Sequence, residues 1–410
     1  MIGLNIVYVF LFISLYFEVF MLVSFIQSRM ERGMRRGILR HDESHMPTVA
    51  IVVPCFNEEK TVAGTITSLL TLDYPHDKIE IIVVDDGSKD ATLAVARRFE
   101  SDRRVRVFHK ENGGKHTAMN YALAHTDAEL IGCLDADSIV DPKALKEIAP
   151  VFQNPEVAAV TPGILIKKPE NILQHMQNAG YGLGIFSRFT LASLGSAFIT
   201  PGPFSIFRTS VVRDLGGWRH GHSTEDLEMA LRIQERGDVI GNAPRAIVYT
   251  GTPRTFKALF RQQVRWTYGF LRNAVDYRHM FGNKSYGNLG LVILPMALIS
   301  IGIAIFFFVR IVLFAMFEIA HLVTRIEITG LMPRFSFDLF YVNTSALWFI
   351  IYVSVVLVIV LISIGSFIST GNRRPPMGVV PFVLFYSLLA PLWLGTAVVR
   401  AIFKTGVKWR

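Results

Sequence analysis

The sequence predicts an α/β domain with a doubly wound, mostly parallel sheet, fused to α-helical transmembrane segments. Two observations carry that prediction. From Thr48 to Pro142, short apolar runs alternate with helical patterns, and several runs end in acidic residues. Outside this polar middle, long apolar stretches dominate. The 410-residue chain is 51% hydrophobic and only 18% charged, with a mean hydropathy of +0.38, which is too apolar for a purely soluble protein.

From Ile2 to Ile26 the only formal charge is Glu18. About 20 such residues cross a bilayer core at ~1.5 Å per residue. Arg29, Arg32, Arg35, Arg36 and Arg40 follow directly, a bias that marks a cytosolic flank. No basic segment precedes the run and no small-residue cleavage site ends it, so residues 1–27 read as a retained anchor and 28–46 as a basic juxtamembrane linker. The net charge is +9, but the basic clusters adjoin apolar spans and lack interleaved aromatics, which argues against a nucleic-acid partner.

Residues 47–275 form the predicted cytosolic domain. "TVAIVVP" is a buried strand, after which Asn57 is expected to cap a helix carrying Val62, Ile66, Leu69 and Leu70 on one face. "IEIIVVDDGS" repeats the pattern and ends in Asp85 and Asp86, with a helix from Asp90 to Phe99. "VRVFH" and "LIGCLDADS" are further strands, separated by a helix from Lys115 to Ala124. Asp141 and Pro142 are expected to open the next helix. Cys55 and Cys133 lie at or near strands and read as small core residues, not as a disulfide.

Ligands of such sheets bind beyond the carboxyl ends of the strands. Asn57 and Glu58, Asp85 and Asp86, and Asp135 and Asp137 all fall there. A single strand-end aspartate is commonly a helix cap, the simpler reading for Asp85 and Asp90. Asp-x-Asp at a strand end suits a hard divalent cation bridging to phosphate oxygens. "HSTEDLEMALRIQERG" places Ser223 or Thr224 as a cap, Glu225 and Asp226 in the first turn and Gly237 as a stop. Those acids either complement the helix dipole or, for Asp226, supply a general base. "RQQVRWTYG" sets Gln262, Arg265 and Trp266 on an amphipathic helix, read either as a ligand-binding motif or as an interfacial belt.

Residues 276–288 form an interface segment, and 289–410 a membrane region of about three spans: Leu289 to Phe308, Leu347 to Ile368 and Met377 to Arg400. The apolar stretch Ile311 to Val323 either lengthens the first of these or lies along the outer surface. Arg373 and Arg374 favour a cytosolic loop, whereas an odd number of spans puts Lys404, Lys408 and Arg410 outside unless one segment is re-entrant.

In order, "VPCFNEE", "VVDDGS", "NGGKHTAMN", "DADS", "STED" and "QQVRW" resemble the processive family 2 glycosyltransferases, the group of poly-N-acetylglucosamine, chitin-oligosaccharide, hyaluronan and cellulose synthases. That resemblance implies a GT-A nucleotide-sugar-binding domain. It implies that Asp86, Pro54 and Glu58 surround the nucleoside, that Asp137, supported by Asp135, binds Mg²⁺ or Mn²⁺, and that Lys115 contacts the diphosphate. Asp226 then corresponds to the base, and Gln262, Arg265 and Trp266 to the motif holding diphosphate and acceptor sugar. The implied protein is an inverting enzyme of the cell membrane. It elongates a β-linked polysaccharide from a UDP-hexose such as UDP-N-acetylglucosamine, couples synthesis to export, and has room for an accessory membrane subunit as a partner. The competing readings are single transfer to a lipid acceptor, such as a polyprenyl phosphate or diacylglycerol, and an inactive nucleotide-sugar sensor. Pro201 in "TPGPFSIFR" departs from the small polar residue or cysteine of the hyaluronan- and chitin-type enzymes.

Overall fold

The computed structural model describes residues 2–35, 46–330 and 343–406; Arg36, Arg40, Lys408 and Arg410 lie outside the described residues. The first helix, α1 (Ile2–Arg35), runs through Arg29, Arg32 and Arg35, so the first part of the expected linker is helical. The domain then follows as β1 (Val49–Cys55), α2 (Val62–Leu70), β2 (Ile79–Asp85), α3 (Thr92–Arg97), β3 (Val105–His109), α4 (Lys115–Leu123) and β4 (Leu130–Cys133). It continues through β5 (Ile139–Val140), α5 (Ala144–Ile148), β6 (Val157–Ile166), α6 (Ile172–Ser193), β7 (Ile206–Arg208), α7 (Thr209–Asp214), α8 (Glu225–Arg236), β8 (Val239–Thr250) and α9 (Phe256–Asp276). Three long apolar helices close the chain: α10 (Leu294–Thr329), α11 (Ala346–Thr370) and α12 (Ser387–Phe403).

The eight strands form one sheet in the order β3-β2-β1-β4-β7-β6-β8-β5. Pairs β1–β2, β1–β4, β2–β3 and β6–β8 are parallel, while β7 runs antiparallel to both its neighbours and β5 to β8. Continuous apolar strands are required because the sheet is covered on both faces. Along β1, Val49, Ile51, Val53 and Cys55 enter one core layer with Val62, Ile66 and Leu69 of α2. The intervening Ala50 and Val52 enter the other layer, with Ala118, Met119 and Ala122 of α4. Both cysteines are buried and unpaired.

Two expected caps differ in detail. Asn57 does not cap α2: it takes a left-handed backbone (φ +56°), and its side-chain oxygen accepts the Lys89 N–H at 2.9 Å, because a turn over Glu58–Thr61 delays the helix to Val62. Asp141 accepts the Lys143 N–H at 2.9 Å, after the short strand β5, which the sequence pattern does not announce, and α5 starts only at Ala144.

Among the described residues, four segments are long and apolar enough to cross a membrane: Asn5–Glu31, Leu289–Thr329, Ala346–Thr370 and Val379–Phe403. The stretch Ile311 to Val323 lengthens its helix and does not lie apart from it. At ~1.5 Å per residue the 41-residue segment Leu289–Thr329 extends about 60 Å, roughly twice a hydrocarbon core. Glu18 of α1 faces Ser354 of α11. The domain packs against these helices along several seams, among them Phe186 and Phe189 of α6 against Met21 and Phe25 of α1, Ala179 of α6 against Ile362 of α11, Leu227 and Leu231 of α8 against Leu294 of α10, and Val264 and Tyr268 of α9 against Trp393 and Ala397 of α12.

Candidate active site

Because β1, β2 and β4 are parallel neighbours, their carboxyl ends meet along one edge of the sheet. The acids there divide into two groups. Asp85 and Asp86 turn inward. Asp85 pairs with His109 Nδ1 at 2.7 Å, and Asp86 is saturated by the Gly113 and Gly114 N–H groups at 3.0 and 2.7 Å and by Lys110 Nζ at 2.6 Å. Asp86 thus shapes the Asn112–Gly114 loop, and Lys110, which sequence reading passed over, is its counter-ion. Pro54, at the end of β1, is partly buried, and Glu58 accepts the Thr61 hydroxyl at 2.8 Å.

The second group faces the crevice. Lys115 Nζ lies 2.5 Å from Asp135 and 3.6 Å from Glu225. Burial pulls the lysine pKa down, but Asp135 and the other anions around it prevail and hold it well above the ordinary value. Asp137 reaches solvent yet sits low in the crevice. Loss of water there, with repulsion from Asp135 and Glu58, pushes it up to about 6. Clustered carboxylates disfavouring their own charge are what a hard cation relieves. Among the described residues no three His, Cys, Asp or Glu side chains converge as a closed metal centre. The donor set therefore fits an open site whose remaining positions fall to phosphate oxygens and water, with Asp137 and Asp135 as the protein's share.

Asp226 stands in the first turn of α8, as expected, with Gly237 as a left-handed stop. Thr224 does not cap that helix through its side chain; its hydroxyl donates to the Gly221 carbonyl at 2.8 Å. Burial first, then Glu225, raises Asp226 to about 6, against the opposing pull of Lys115, the Leu227 N–H and Arg265. Beside it lies a cavity of about 20 Å³ lined by Lys115, Met119, Cys133, Phe207, Trp218 and Asp226, room for about one water. From α9, Arg265 donates to the Ser223 carbonyl at 3.1 Å, Gln262 is half-buried, and Trp266 is 38% exposed. Lys115, Asp135, Asp137, Asp226 and Arg265 thus gather around one crevice with Glu58 within reach of Asp137, while Asp86 points into its own loop. His222 pairs with Asp276 at 2.7 Å, and His220 packs edge-on against His116.

What joins α9 to the base is a buried residue absent from the sequence expectations. Asn273 Nδ2 donates to the carbonyl oxygens of Gly221 and Gly269 and to Thr224 Oγ1, at 3.1, 2.9 and 3.0 Å. Gly269 permits the approach: a Cβ there would meet Thr224 Oγ1 at 2.3 Å. An asparagine one turn after a glycine, amid an otherwise amphipathic helix, is the signal that could have found it. Asn273→Ala is expected to destabilise the protein by ~1–3 kcal/mol. It should also lower kcat more than it raises KM for the donor, measured by thermal unfolding and steady-state kinetics.

The mixed α/β sheet, with acids gathered at the carboxyl ends of its parallel strands β1, β2 and β4, is of the GT-A type. The chain belongs to the family described as glycosyltransferase like family 2, which it matches over residues 47–269, more than half its length. It is 31% identical over 243 residues to a poly-β-1,6-N-acetyl-D-glucosamine synthase of Staphylococcus epidermidis, covering 58% of this chain and 58% of that one. It is 30% identical over 267 residues to the synthase of the same name from Staphylococcus aureus strain COL, covering 63% and 64%. The chain thus aligns with about three fifths of the length of these relatives. A mannosyltransferase from Pyrobaculum calidifontis, solved with GDP-Man and Mn²⁺, shares the fold across 97% of this chain and 99% of its own at a TM-score of 0.57 and 15% identity.

Proposed function

We propose that this protein is a membrane-embedded inverting glycosyltransferase that elongates a β-linked polysaccharide from UDP-N-acetylglucosamine or a related UDP-hexose. The observation that carries the proposal is the packing of α9. One face of that helix holds Arg265 beside the base loop, and another rests on α12, so the crevice backs directly onto the membrane helices. The names of the two synthase relatives support a polymer and N-acetylglucosamine as its unit. In this reading the domain is cytosolic, the helices cross the membrane several times, and the growing chain leaves between them.

The reaction is one displacement at the anomeric carbon. An acceptor hydroxyl forms the new carbon–oxygen bond, the bond to the diphosphate breaks, and the hydroxyl proton passes to the Asp226 carboxylate. Its raised pKa makes Asp226 a better proton acceptor than an exposed aspartate while leaving it ionised at pH 7. Arg265 and Lys115 carry charge towards the departing diphosphate, and Trp266 offers an apolar face to the acceptor ring. A divalent Mg²⁺ or Mn²⁺ held by Asp137 and Asp135 supplies further neutralisation of the diphosphate when bound.

The active base is unprotonated, so kcat is expected to rise about tenfold per pH unit below pH 6 and to level off above it. A pH profile of UDP release checks this, and a flat profile from pH 4.5 to 8 contradicts it. The function itself is tested by reconstituting the full chain and measuring nucleotide release across UDP- and GDP-sugars with Mg²⁺ or Mn²⁺, then sizing the product. UDP release from one sugar with a long polymer is expected. A lipid carrying a single sugar, or no turnover with any donor, overturns the polymerase reading.

A further inference from the structure

The cavity beside Asp226 has two unlike sides. Met119 of α4, Cys133 at the end of β4, Phe207 of β7 and Trp218 line it and are buried, whereas Lys115 and Asp226, which also line it, keep partial exposure. The four apolar residues therefore make a floor, and the two polar ones a mouth on the crevice. The floor is held in shape from behind. Asn120 grips the Trp218 backbone twice, accepting its N–H at 2.7 Å and donating to its carbonyl at 2.8 Å. Gly217 permits that grip, since its φ is +76° and a Cβ there would collide with Asn120 Oδ1. Arg232, buried in α8, donates to the carbonyls of Leu215 and Gly217 at 2.6 and 2.9 Å, and the Trp218 ring stands edge-on to Phe207 with centroids 5.8 Å apart. The cavity is thus preformed.

Its volume of about 20 Å³ suits one small group, a water or a methyl. A buried water needs about two to four polar partners, which a floor of Met, Cys, Phe and Trp side chains supplies poorly. A methyl needs none and gains dispersion contacts. On the transferase reading above, on which this inference rests, Asp226 takes a proton from the acceptor hydroxyl, and that oxygen stands ~3 Å from the anomeric carbon at attack. C2 is the next ring carbon, so its substituent is held close to Asp226 and the cavity mouth. A hydroxyl on C2 leaves the floor empty. An acetamido group ends in a methyl on a short polar arm, which matches an apolar floor below a polar mouth. We propose that this cavity receives the methyl of a 2-acetamido group on the donor, so that the chain selects an N-acetylhexosamine over the corresponding hexose. Met119, Cys133, Phe207 and Trp218 are then the residues that determine that choice.

The test reads binding and not turnover: thermal unfolding of the full chain in detergent with Mn²⁺, titrated with UDP, UDP-glucose, UDP-N-acetylglucosamine and UDP-N-propionylglucosamine. Half of the Tm rise is expected at a concentration at least about tenfold lower for the N-acetyl sugar than for UDP-glucose, the discrimination that a methyl-sized apolar pocket gives. The propionyl analogue is one methylene too long for the cavity and should need at least about tenfold more than the N-acetyl sugar. Met119→Ala opens the floor and should bring the propionyl analogue to within about threefold of the N-acetyl sugar. Cys133→Ile fills the floor and should bring the N-acetyl sugar to within about threefold of UDP-glucose. Each variant's response to UDP alone reports whether its donor site is folded, and the wild-type order of the three sugars decides by itself if a variant is not. Equal half-effect concentrations for UDP-glucose and the N-acetyl sugar in the wild type, or equal ones for the acetyl and propionyl sugars, overturn the subsite even if a polymer is made. The expected order without any turnover supports the subsite and fails only the polymerase reading. No response to UDP or to any UDP-sugar refutes both.

Discussion

Asp226→Asn is expected to lower kcat by ~10²–10⁴-fold while leaving the fold and the KM for the donor near wild type. The substitution is isosteric, and the new amide oxygen still accepts the Leu227 N–H that Asp226 holds at 2.9 Å. What disappears is the proton acceptor beside the crevice. The direction of the stability change is also set. Folding raises this carboxyl from 3.8 to about 6, so the ionised group opposes folding above the unfolded value, fully so above pH 6. The variant should therefore unfold at the same or a higher temperature at pH 7.5, with the difference shrinking as pH falls through 6 towards 4. Release of UDP within tenfold of wild type would remove Asp226 from the role of base.

Asp137→Asn is expected to abolish turnover in Mg²⁺ and Mn²⁺ alike, and Mn²⁺ with UDP is expected to raise the unfolding temperature of the wild type but not of this variant. An amide is a poor ligand for a hard cation, and Asp135, shared with Lys115 at 2.5 Å, would be left as the one carboxylate to hold it. The fold should persist, because the charge removed is one that burial, Asp135 and Glu58 disfavour. Intact activity, or an unchanged response to Mn²⁺, would defeat the metal assignment. The two variants are separable: Asp226→Asn should keep the Mn²⁺–UDP response that Asp137→Asn loses.

Much of the fold was legible because its signals are local. The buried run of β1 and the helix face of Val62, Ile66 and Leu69 follow from local patterning, as do the helix stop at Gly237 and the apolar lengths of α1 and α11. Local reasoning missed where a neighbour intervenes. Asn57 has the chemistry of a cap but is drawn to the Lys89 N–H across the loop, and β5 is too short to announce itself without its partner β8. The antiparallel β7 between β4 and β6 is equally silent, since three residues carry no period.

For the site, the sequence alone determined which residue types stand at strand ends and helix starts, because motif spacing and capping chemistry act over a few residues. Only the tertiary structure decided their partners. Asp86 closes on Lys110 and the Gly113–Gly114 loop, and Lys115 crosses to Asp135, leaving Asp137 crowded. Asn273 ties α9 to the loop before Asp226, and Arg188 Nε and Nη2 find no hydrogen-bond partner among the described residues. Those outcomes depend on desolvation and Coulomb interaction, which vary with three-dimensional separation and burial, and neither quantity is written in the order of the residues.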